Sequence, residues 1–304
     1  MAKEMLKPED RVINPASIEM LHKAQTDCVD TCFDRFTAQG VQCKFGTTGV
    51  CCKICHMGPC RITPKSPRGI CGADADTIVA RNFLREVVGG AAAHSDHARH
   101  LVLLLKEVAE GKGGDYRITD EKALLRAAAD YGIPTEGRAV NEIALELARL
   151  FIGEFTSQEE PLKTLSLAPQ KQQQYWQKTG VVPFGIDRMC VESMHRTHMG
   201  VDHDYKNLLL QSFRTSLADG WGGARIASQV SDILFDTPRP VRSEANLGVL
   251  RKDKVNIIVH GHEPALSEML AIAANDPDIL AYAQAAGADF ADEHVCQPGV
   301  GRTR

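Results

Sequence analysis

Residues 43 to 71 read CKFGTTGVCCKICHMGPCRITPKSPRGIC, and this stretch sets the chemistry around which the chain is built. It holds six of the ten cysteines of the protein. Glycine and proline stand between the thiols, so the backbone can turn several times within a short length. Thiolates this close together are typical ligands of soft transition metals and of iron–sulfur clusters. The stretch therefore predicts a metal-binding loop.

Four of these thiols can supply the ligands of a [4Fe–4S] cluster from one loop: Cys52, Cys55, Cys60 and Cys71. Cys43 and Cys51 remain, and two thiolates do not complete a four-ligand site. A two-fold dimer can bring the same pair from a second subunit and complete a shared site on its axis. A structural zinc knuckle with spare thiols stays open as the alternative, although zinc usually takes two regular pairs of ligands.

The composition argues against several classes of protein. The 304 residues carry a net charge of −4, and no long basic run suggests binding to nucleic acid or to an anionic membrane. The start of the chain lacks the apolar stretch of a signal peptide, and the apolar run Leu101–Leu105 is too short to span a membrane. We expect a soluble cytoplasmic protein, in which clustered cysteines indicate metal or redox chemistry more often than disulfides.

Helical periodicity dominates the chain up to about residue 235. The apolar spacing predicts one amphipathic helix that starts after Asn14-Pro15 and runs from residue 16 to about residue 36. The cysteine loop follows, and its glycines and prolines are expected to prevent regular structure. We divide the chain into an N-terminal helix with the Fe–S loop (1–72), a helical domain (73–236) and a third domain (237–304). Further helices are predicted over 76–88, 92–110, 119–131, 137–153 and 205–217.

The third domain begins at a proline-rich boundary, Thr237-Pro238-Arg239-Pro240, and has a different pattern. Residues 254–260, KVNIIVH, predict a β-strand, and helices are expected over 264–274 and 278–287. The predicted fold is a mainly α N-terminal helical domain with an Fe–S loop, followed by the start of an α/β Rossmann-like domain. One such α/β unit does not complete a sheet, so we expect a fragment or a chain completed by a partner.

Three histidines at steps of three residues, His94, His97 and His100, lie in the segment AAAHSDHARHLVLL. On a helix this spacing keeps them near one face over a length of about 9 Å. Imidazole titrates at about pH 6.5, so such a file can relay protons. The alternative is a solvated helix face that carries three histidines beside Asp96 and Arg99.

A second histidine motif, His260-Gly261-His262-Glu263-Pro264, directly follows the predicted strand. The carboxyl end of such a strand is where α/β domains bind ligands and metals. An imidazole there can bind a metal, and the H-x-H spacing also fits a zinc hydrolase. The alternative is a loop histidine at the start of the helix that begins at Pro264.

The remaining cysteines give weaker signals. Cys28 and Cys32 are one helical turn apart and are predicted to be core thiols, as is Cys190. Cys296 remains ambiguous. Trp221, which lies among glycines, predicts a tight helix junction rather than a phosphate loop, because no strand precedes it.

Several segments together resemble the catalytic subunit of the nickel-dependent, anaerobic-type carbon monoxide dehydrogenases. They are the cysteine loop, AAAHSDHARH, MHRTHMGVDHD, LADGWGGARIASQVSDILF, SEANLGVL and VNIIVHGHEPALSEM, and they cover most of residues 10 to 290. The resemblance implies a homodimer with a helical N-terminal domain followed by Rossmann-like domains. It also implies oxidation of CO with water to CO2, two protons and two electrons. The electrons would pass through [4Fe–4S] clusters to a ferredoxin-like acceptor.

The same resemblance implies a role for each site residue. Cys43 and Cys51 match the ligands that each subunit gives to a cluster shared on the dimer axis, either [4Fe–4S] or [2Fe–2S]. The four other loop thiols match the ligands of the subunit's own [4Fe–4S] cluster, and the three histidines of AAAHSDHARH match a proton path. His262 matches the imidazole ligand of the Ni–4Fe–4S active cluster.

The C-terminal sequence departs from the family pattern from about residue 288. Cys296 has the right offset from His262 to be the next ligand of the Ni–Fe–S cluster, but a glycine-rich segment with paired cysteines is expected there. The other cysteine ligands and the active-site lysine of the family are absent, so we expect this chain alone not to oxidise CO. One alternative is a stand-alone iron–sulfur electron-transfer or scaffold module. A more remote one is a hydroxylamine-reductase-like hybrid-cluster protein.

Overall fold

A computed structural model describes residues 7–237, Val255, Ile257 and residues 264–288. The chain divides into two compact units, one up to Val79 and one from Ala80 onward. α-Helices account for most of the described residues, which confirms the prediction of a mainly α structure. Within that part of the chain, no helix is long and apolar enough to cross a membrane.

The N-terminal segment forms two helices, so the prediction of one long helix is wrong. Helix α1 runs over Pro15–Thr26 and helix α2 over Cys32–Ala38. Between them Cys28 has a left-handed backbone with φ 56°, which interrupts the helical hydrogen bonding. The side chains of Thr31 and Asp34 then accept hydrogen bonds from each other's backbone N–H and start α2 as a capping box.

The cysteine loop contains a small antiparallel ladder, where the sequence predicts no regular structure. Strand β1 is Cys51–Cys52 and strand β2 is Cys60–Arg61, with Cys52 paired to Cys60. A small apolar cluster supports this ladder, and its buried members are Cys52, Ala73 and Ile78. The loop is therefore folded around its own thiols as well as around aliphatic side chains.

Helix α3 runs without interruption over Ala75–Ala109, although the sequence predicts two helices with a gap at residues 89–91. This gap contains glycine, which lowers the stability of a helix interior by about 1 kcal/mol relative to alanine. The buried face of α3 outweighs this cost, because Leu84, Leu101 and Leu105 are each almost completely excluded from solvent.

The unit that begins at Ala80 is a helical assembly around one large apolar core. The helices predicted over 119–131, 137–153 and 205–217 are confirmed to within a few residues. The core includes the buried side chains Leu124, Leu147, Phe151, Phe155 and Ile226. The helices after α3 are α4 Glu121–Asp130, α5 Val140–Thr156, α6 Gln170–Thr179, α7 Ile186–Arg196, α8 Tyr205–Ala218 and α9 Ala224–Phe235.

A π-helical segment, Asp219–Gly223, joins α8 to α9 and confirms the tight junction predicted at Trp221. The Trp221 ring meets the ring of Trp176 edge-on at a centroid distance of 5.9 Å. Short 3₁₀ turns complete the described structure at Pro8–Asp10, Gly46–Thr48 and Lys163–Leu167.

The last described residues form helices α10, Pro264–Ala274, and α11, Pro277–Ala285, close to the predicted bounds. Apart from Val255 and Ile257, the strand predicted over 254–260 lies outside the described residues. The divergent tail beyond residue 288 does so too. The Rossmann-like character of this region therefore stays a prediction.

Candidate metal-cluster site

The ladder of the cysteine loop places two of the predicted ligands opposite each other, Cys52 on β1 and Cys60 on β2. Gly58 makes the connection between the strands possible. A Cβ atom at Gly58 would lie 3.0 Å from the Cys52 carbonyl oxygen and 3.0 Å from the Cys60 nitrogen. Its N–H donates to the carbonyl of Cys55 at 3.3 Å. The turn that carries Cys55 is therefore tight, and a side chain at residue 58 would force the neighbouring backbone to move.

A second glycine brings the last part of the loop against the Cys60 thiol. A Cβ atom at Gly69 would lie 3.5 Å from Cys60 Sγ, and the backbone N–H of Ile70 donates to that sulfur at 3.5 Å. The Gly69 N–H donates to the carbonyl of Ala73 at 2.8 Å and closes this turn around Cys71. A backbone N–H that donates to sulfur is the kind of outer contact that orients a metal-binding cysteine.

The donor chemistry of this loop fits an iron–sulfur cluster. Cys52 is buried, the other three proposed ligands are partly exposed, and none of the four forms a disulfide within the described residues: Cys52, Cys55, Cys60 and Cys71. Within the described residues, no three His, Cys, Asp or Glu side chains are grouped around a position for a single metal ion. A [4Fe–4S] cluster makes a different demand, because its four thiolates bind four separate irons.

Cys43 and Cys51, the proposed ligands of a shared cluster, lie in the same unit. The Cys43 thiol is exposed and Cys51 is partly exposed. The N–H of Gly46 donates to Cys43 Sγ at 3.4 Å. The backbone N–H groups of Gly46 and Phe45 lower the pKa of the Cys43 thiol, because they stabilise its thiolate. This site is thus open to solvent, and its backbone N–H groups favour a negatively charged sulfur at Cys43.

The three histidines of α3 differ in their surroundings. His94 Nδ1 lies 2.7 Å from Oδ1 of Asp219, and their side chains are 41% and 26% exposed. His97 is also partly exposed. His100 is the most open, with 62% of its side chain exposed and Nε2 3.9 Å from the Asp96 carboxylate. The file therefore begins at a half-buried histidine that is hydrogen-bonded to a carboxylate, and it ends at an exposed histidine.

Two glycines of the π-helical segment allow close approach, Gly223 to α3 and Gly222 to the first residue of α7. A Cβ atom at Gly223 would lie 3.1 Å from the carbonyl carbon of His94 and 3.1 Å from the nitrogen of Ser95. A Cβ atom at Gly222 would lie 2.8 Å from the Ile186 side chain. The segment thereby places Asp219 beside His94. Sequence reasoning missed Asp219, although an acidic residue in the glycine-rich segment DGWGG was a usable signal.

Known proteins with similar sequences identify the family of this chain. A sequence profile of the Prismane/CO dehydrogenase family matches residues 50–297. The chain belongs to this family. It is 51% identical over 292 residues to carbon monoxide dehydrogenase 1 of Methanosarcina acetivorans, covering 95% of this chain and 46% of that protein. It is 44% identical over 288 residues to the carbon monoxide dehydrogenase/acetyl-CoA synthase subunit beta of Moorella thermoacetica, covering 93% of this chain and 42% of that subunit.

Solved structures of family members agree with the fold. A Ni-free carbon monoxide dehydrogenase from Thermococcus sp. AM4 superposes with a TM-score of 0.86 at 47% identity, over 98% of this chain and 47% of that one. An acetyl-CoA synthase/carbon monoxide dehydrogenase complex gives 0.82 at 42% identity, over 97% of this chain and 44% of that one. The chain thus spans about half the length of the relatives that it matches.

The other sequence predictions have mixed outcomes in this member of the family. Cys28 and Cys32 are exposed, so the prediction that they are core thiols is wrong; the helix break at Cys28 turns both outward. Cys190 is partly buried and packs beside Leu84 and Leu208. Burial, followed by the charges of Asp187 and Asp219, raises the pKa of the Cys190 thiol to about 11. The predicted metal ligands His262 and Cys296 lie outside the described residues, as does His260.

Proposed function

We propose that this chain provides the iron–sulfur and proton-transfer part of a nickel-dependent carbon monoxide dehydrogenase. The reaction is CO + H2O → CO2 + 2 H+ + 2 e−. The observation that carries the proposal is a loop of six closely spaced cysteines, closed by Gly58 and Gly69, in a chain 51% identical to a carbon monoxide dehydrogenase over 292 residues. Because the chain spans about half of such an enzyme, the complete reaction is proposed for the complete assembly.

The loop thiols are proposed as cluster ligands in two groups. Cys43 and Cys51 join the same pair of a second copy at a shared cluster, which makes the protein a homodimer. The other four hold the subunit's own [4Fe–4S] cluster: Cys52, Cys55, Cys60 and Cys71. When bound, such clusters supply one-electron transfer. The Ile70 N–H, which donates to Cys60 Sγ at 3.5 Å, stabilises negative charge on that sulfur.

The three histidines of α3 are proposed to carry protons outward. Asp219 holds the N–H of His94 at Nδ1, which leaves Nε2 as the nitrogen that accepts and passes on a proton. Each step of three residues advances about 4.5 Å along the helix axis, so one water or a side-chain movement joins neighbouring imidazoles. The exposed His100 then releases the proton to solvent.

The residues after the helical domain are proposed to begin a Rossmann-like domain that carries His262 and Cys296. These two are proposed ligands of a Ni–4Fe–4S cluster, the centre that activates CO in such an enzyme. We further propose domain bounds of 1–72, 73–236 and 237–304, a cytoplasmic location and a ferredoxin-like electron acceptor. The net charge of −4 and the absence of a helix able to cross a membrane among the described residues are compatible with this location.

Anaerobic reconstitution with iron and sulfide tests the cluster assignment. We expect about six irons per subunit, four from its own cluster and half of a shared four-iron cluster. Cys52→Ser should lose the subunit's own cluster, whereas Cys32→Ser, a control at an exposed thiol outside the loop, should keep both. Iron content and electron paramagnetic resonance of the reduced protein report the result. A zinc-only preparation, or equal iron in the two variants, would contradict the proposal.

Reduction of a viologen dye by CO after anaerobic nickel loading separates the full reaction from a second candidate. The exposed Cys43 favours that candidate, a stand-alone iron–sulfur electron-transfer module, because a cluster held there lies within reach of a partner. In an assembly completed with the remainder of such an enzyme, CO-dependent reduction would support the full reaction, and clusters without it would support the module. Turnover by the 304-residue chain would overturn the expectation that it is inactive alone.

A further inference from the structure

A cavity of about 570 Å³ lies in the helical unit and is lined from α6, α7 and α8, with none of the three histidines of α3 in its wall. Its volume is that of a small-molecule site. Three arginines contribute to its wall, Arg188, Arg196 and Arg214, against one carboxylate, Glu192. The rest of the wall includes the apolar side chains Val182, Phe184 and Met189. The cavity thus combines an excess of positive charge with an apolar surface.

The three arginines are not equally neutralised. Arg196 donates to Glu192 at 2.6 Å and lies 3.6 Å from Asp202, and Arg188 lies 3.7 Å from the same glutamate. Arg214, in contrast, forms no ion pair with any carboxylate in the described part of the chain. Burial, followed by the charge of Arg196, lowers the pKa of Arg214. Arg214 is therefore a cation whose charge is destabilised by its surroundings.

Arg214 is also held in a fixed orientation. Its Nε donates to the carbonyl oxygen of Gly180 at 2.8 Å, and Nη1 donates to Oε1 of Gln211 at 3.1 Å. Gly180 ends α6 with a left-handed backbone, φ 69°. The carbonyl that accepts from Arg214 therefore lies at the C-terminus of a helix, where a positive charge is favoured. A guanidinium has five N–H donors, and these described contacts engage two of them. Such a preorganised fork loses little entropy on binding an oxyanion.

Arg188 joins the charged wall to the apolar wall. Its guanidinium stacks over the Phe184 ring at 4.1 Å from the centroid, and it donates to the carbonyl of Gln158. A ligand with an anionic head beside Arg214 can therefore place an apolar body against Phe184 and Val182. Planar guanidinium groups recognise phosphate through paired hydrogen bonds.

We propose that this cavity is a binding site for a small organic phosphate, with the phosphate at Arg214 in the charged wall and the organic part on the apolar wall. The site is independent of the iron–sulfur loop and of the reaction proposed above. It gives the protein a means of binding a phosphorylated metabolite.

Isothermal titration of the reconstituted 304-residue chain tests the site with three probes: phenyl phosphate, inorganic phosphate and benzoate. Phenyl phosphate should bind more tightly than inorganic phosphate, because its ring covers the apolar wall. It should also bind more tightly than benzoate, which has the same ring but a single negative charge. Undetectable binding of phenyl phosphate, or equal or tighter binding of benzoate, would overturn the proposal.

Matched arginine variants locate the site. Arg214→Gln should weaken phenyl phosphate binding about tenfold or more, because it removes a charge-assisted contact. Arg149→Gln, an exposed arginine on α5 outside the cavity, should change it less than about twofold. Circular dichroism checks that each variant is folded, and Arg188→Gln replaces Arg214→Gln if the latter does not fold. An equal effect of the cavity and control variants would refute the assignment.

Discussion

His94 Nδ1 lies 2.7 Å from Asp219 Oδ1, although 125 residues separate them in the chain. The contact depends on a helix junction that turns within five residues and carries glycine where it meets α3. A carboxylate at Nδ1 fixes both the tautomer and the ring orientation of a histidine. The tautomer and ring orientation of His94, at the more buried end of the histidine file, are therefore fixed by a residue from a distant part of the sequence.

Asp219→Asn should disturb His94 without unfolding the protein, because the amide has the shape of the carboxylate but not its charge. We expect the fraction of His94 protonated at Nδ1 to fall, as measured by nitrogen NMR of isotope-labelled protein. In an active assembly, CO oxidation should fall by about tenfold or more if the histidines carry its protons. Asp96→Asn, at the loosely paired His100, is the control and should leave His94 unchanged.

Gly223→Ala should destabilise the helical unit. Its Cβ would lie 3.1 Å from the backbone of α3, and overpacking of this kind costs about 1–3 kcal/mol. Gly220→Ala in the same π-helical segment is the matched control, because no atom lies within 4 Å of its Cβ. Urea denaturation of both variants measures the difference, and equal free energies of unfolding would contradict the close approach.

Gly58→Ala should impair iron loading more than it impairs folding. The added methyl would meet the Cys52 carbonyl oxygen and the Cys60 nitrogen at 3.0 Å, so the turn that carries Cys55 must move. We expect the iron per subunit to fall from about six towards about two, the share of the shared cluster. Gly89→Ala, in an open position on α3, is the control and should retain iron while raising stability by about 0.5–1 kcal/mol.

Glu154 should give the unfolding free energy a pH dependence of its own. It is only 3% exposed, and burial raises the pKa of its carboxyl, although the Thr164 N–H donates to it at 3.2 Å. Because the folded state holds this proton more tightly, the contribution of Glu154 is fully present below the ordinary value of 4.5 and is lost as the pH rises through the folded pKa.

The variant Glu154→Gln isolates this contribution. Its unfolding free energy relative to the original protein should increase from pH 4.5 to pH 8, since the amide still accepts the Thr164 bond but carries no charge. The exposed Glu142→Gln on the same helix should show a smaller pH-dependent difference. Urea titrations at several pH values measure both, and parallel pH curves for the original protein and Glu154→Gln would contradict the expectation.

The sequence predicts α4, α5, α8, α10 and α11 closely, because their apolar periodicity is local. It fails where a few backbone angles or distant contacts decide the outcome. The left-handed Cys28 splits the first helix, and the packing of Leu84 and Leu101 keeps α3 continuous through Gly89. The cysteine spacing predicts the cluster ligands, and that assignment stays a prediction, whereas the pairing of His94 with Asp219 depends on tertiary packing between segments 125 residues apart.

The π-helical segment Asp219–Gly223 also sets the rotational phase between α8 and α9. A π-turn has one residue more than the α-helical turn that it replaces, and one residue of an α-helix corresponds to a rotation of about 100°. Deletion of a single residue here would merge the two helices into one regular rod. All of α9 would then turn by that angle relative to α8, which would carry Ile226 and Val230 out of the core that now buries them. The burial of the apolar face of α9 in the helical unit thus depends on this one additional residue.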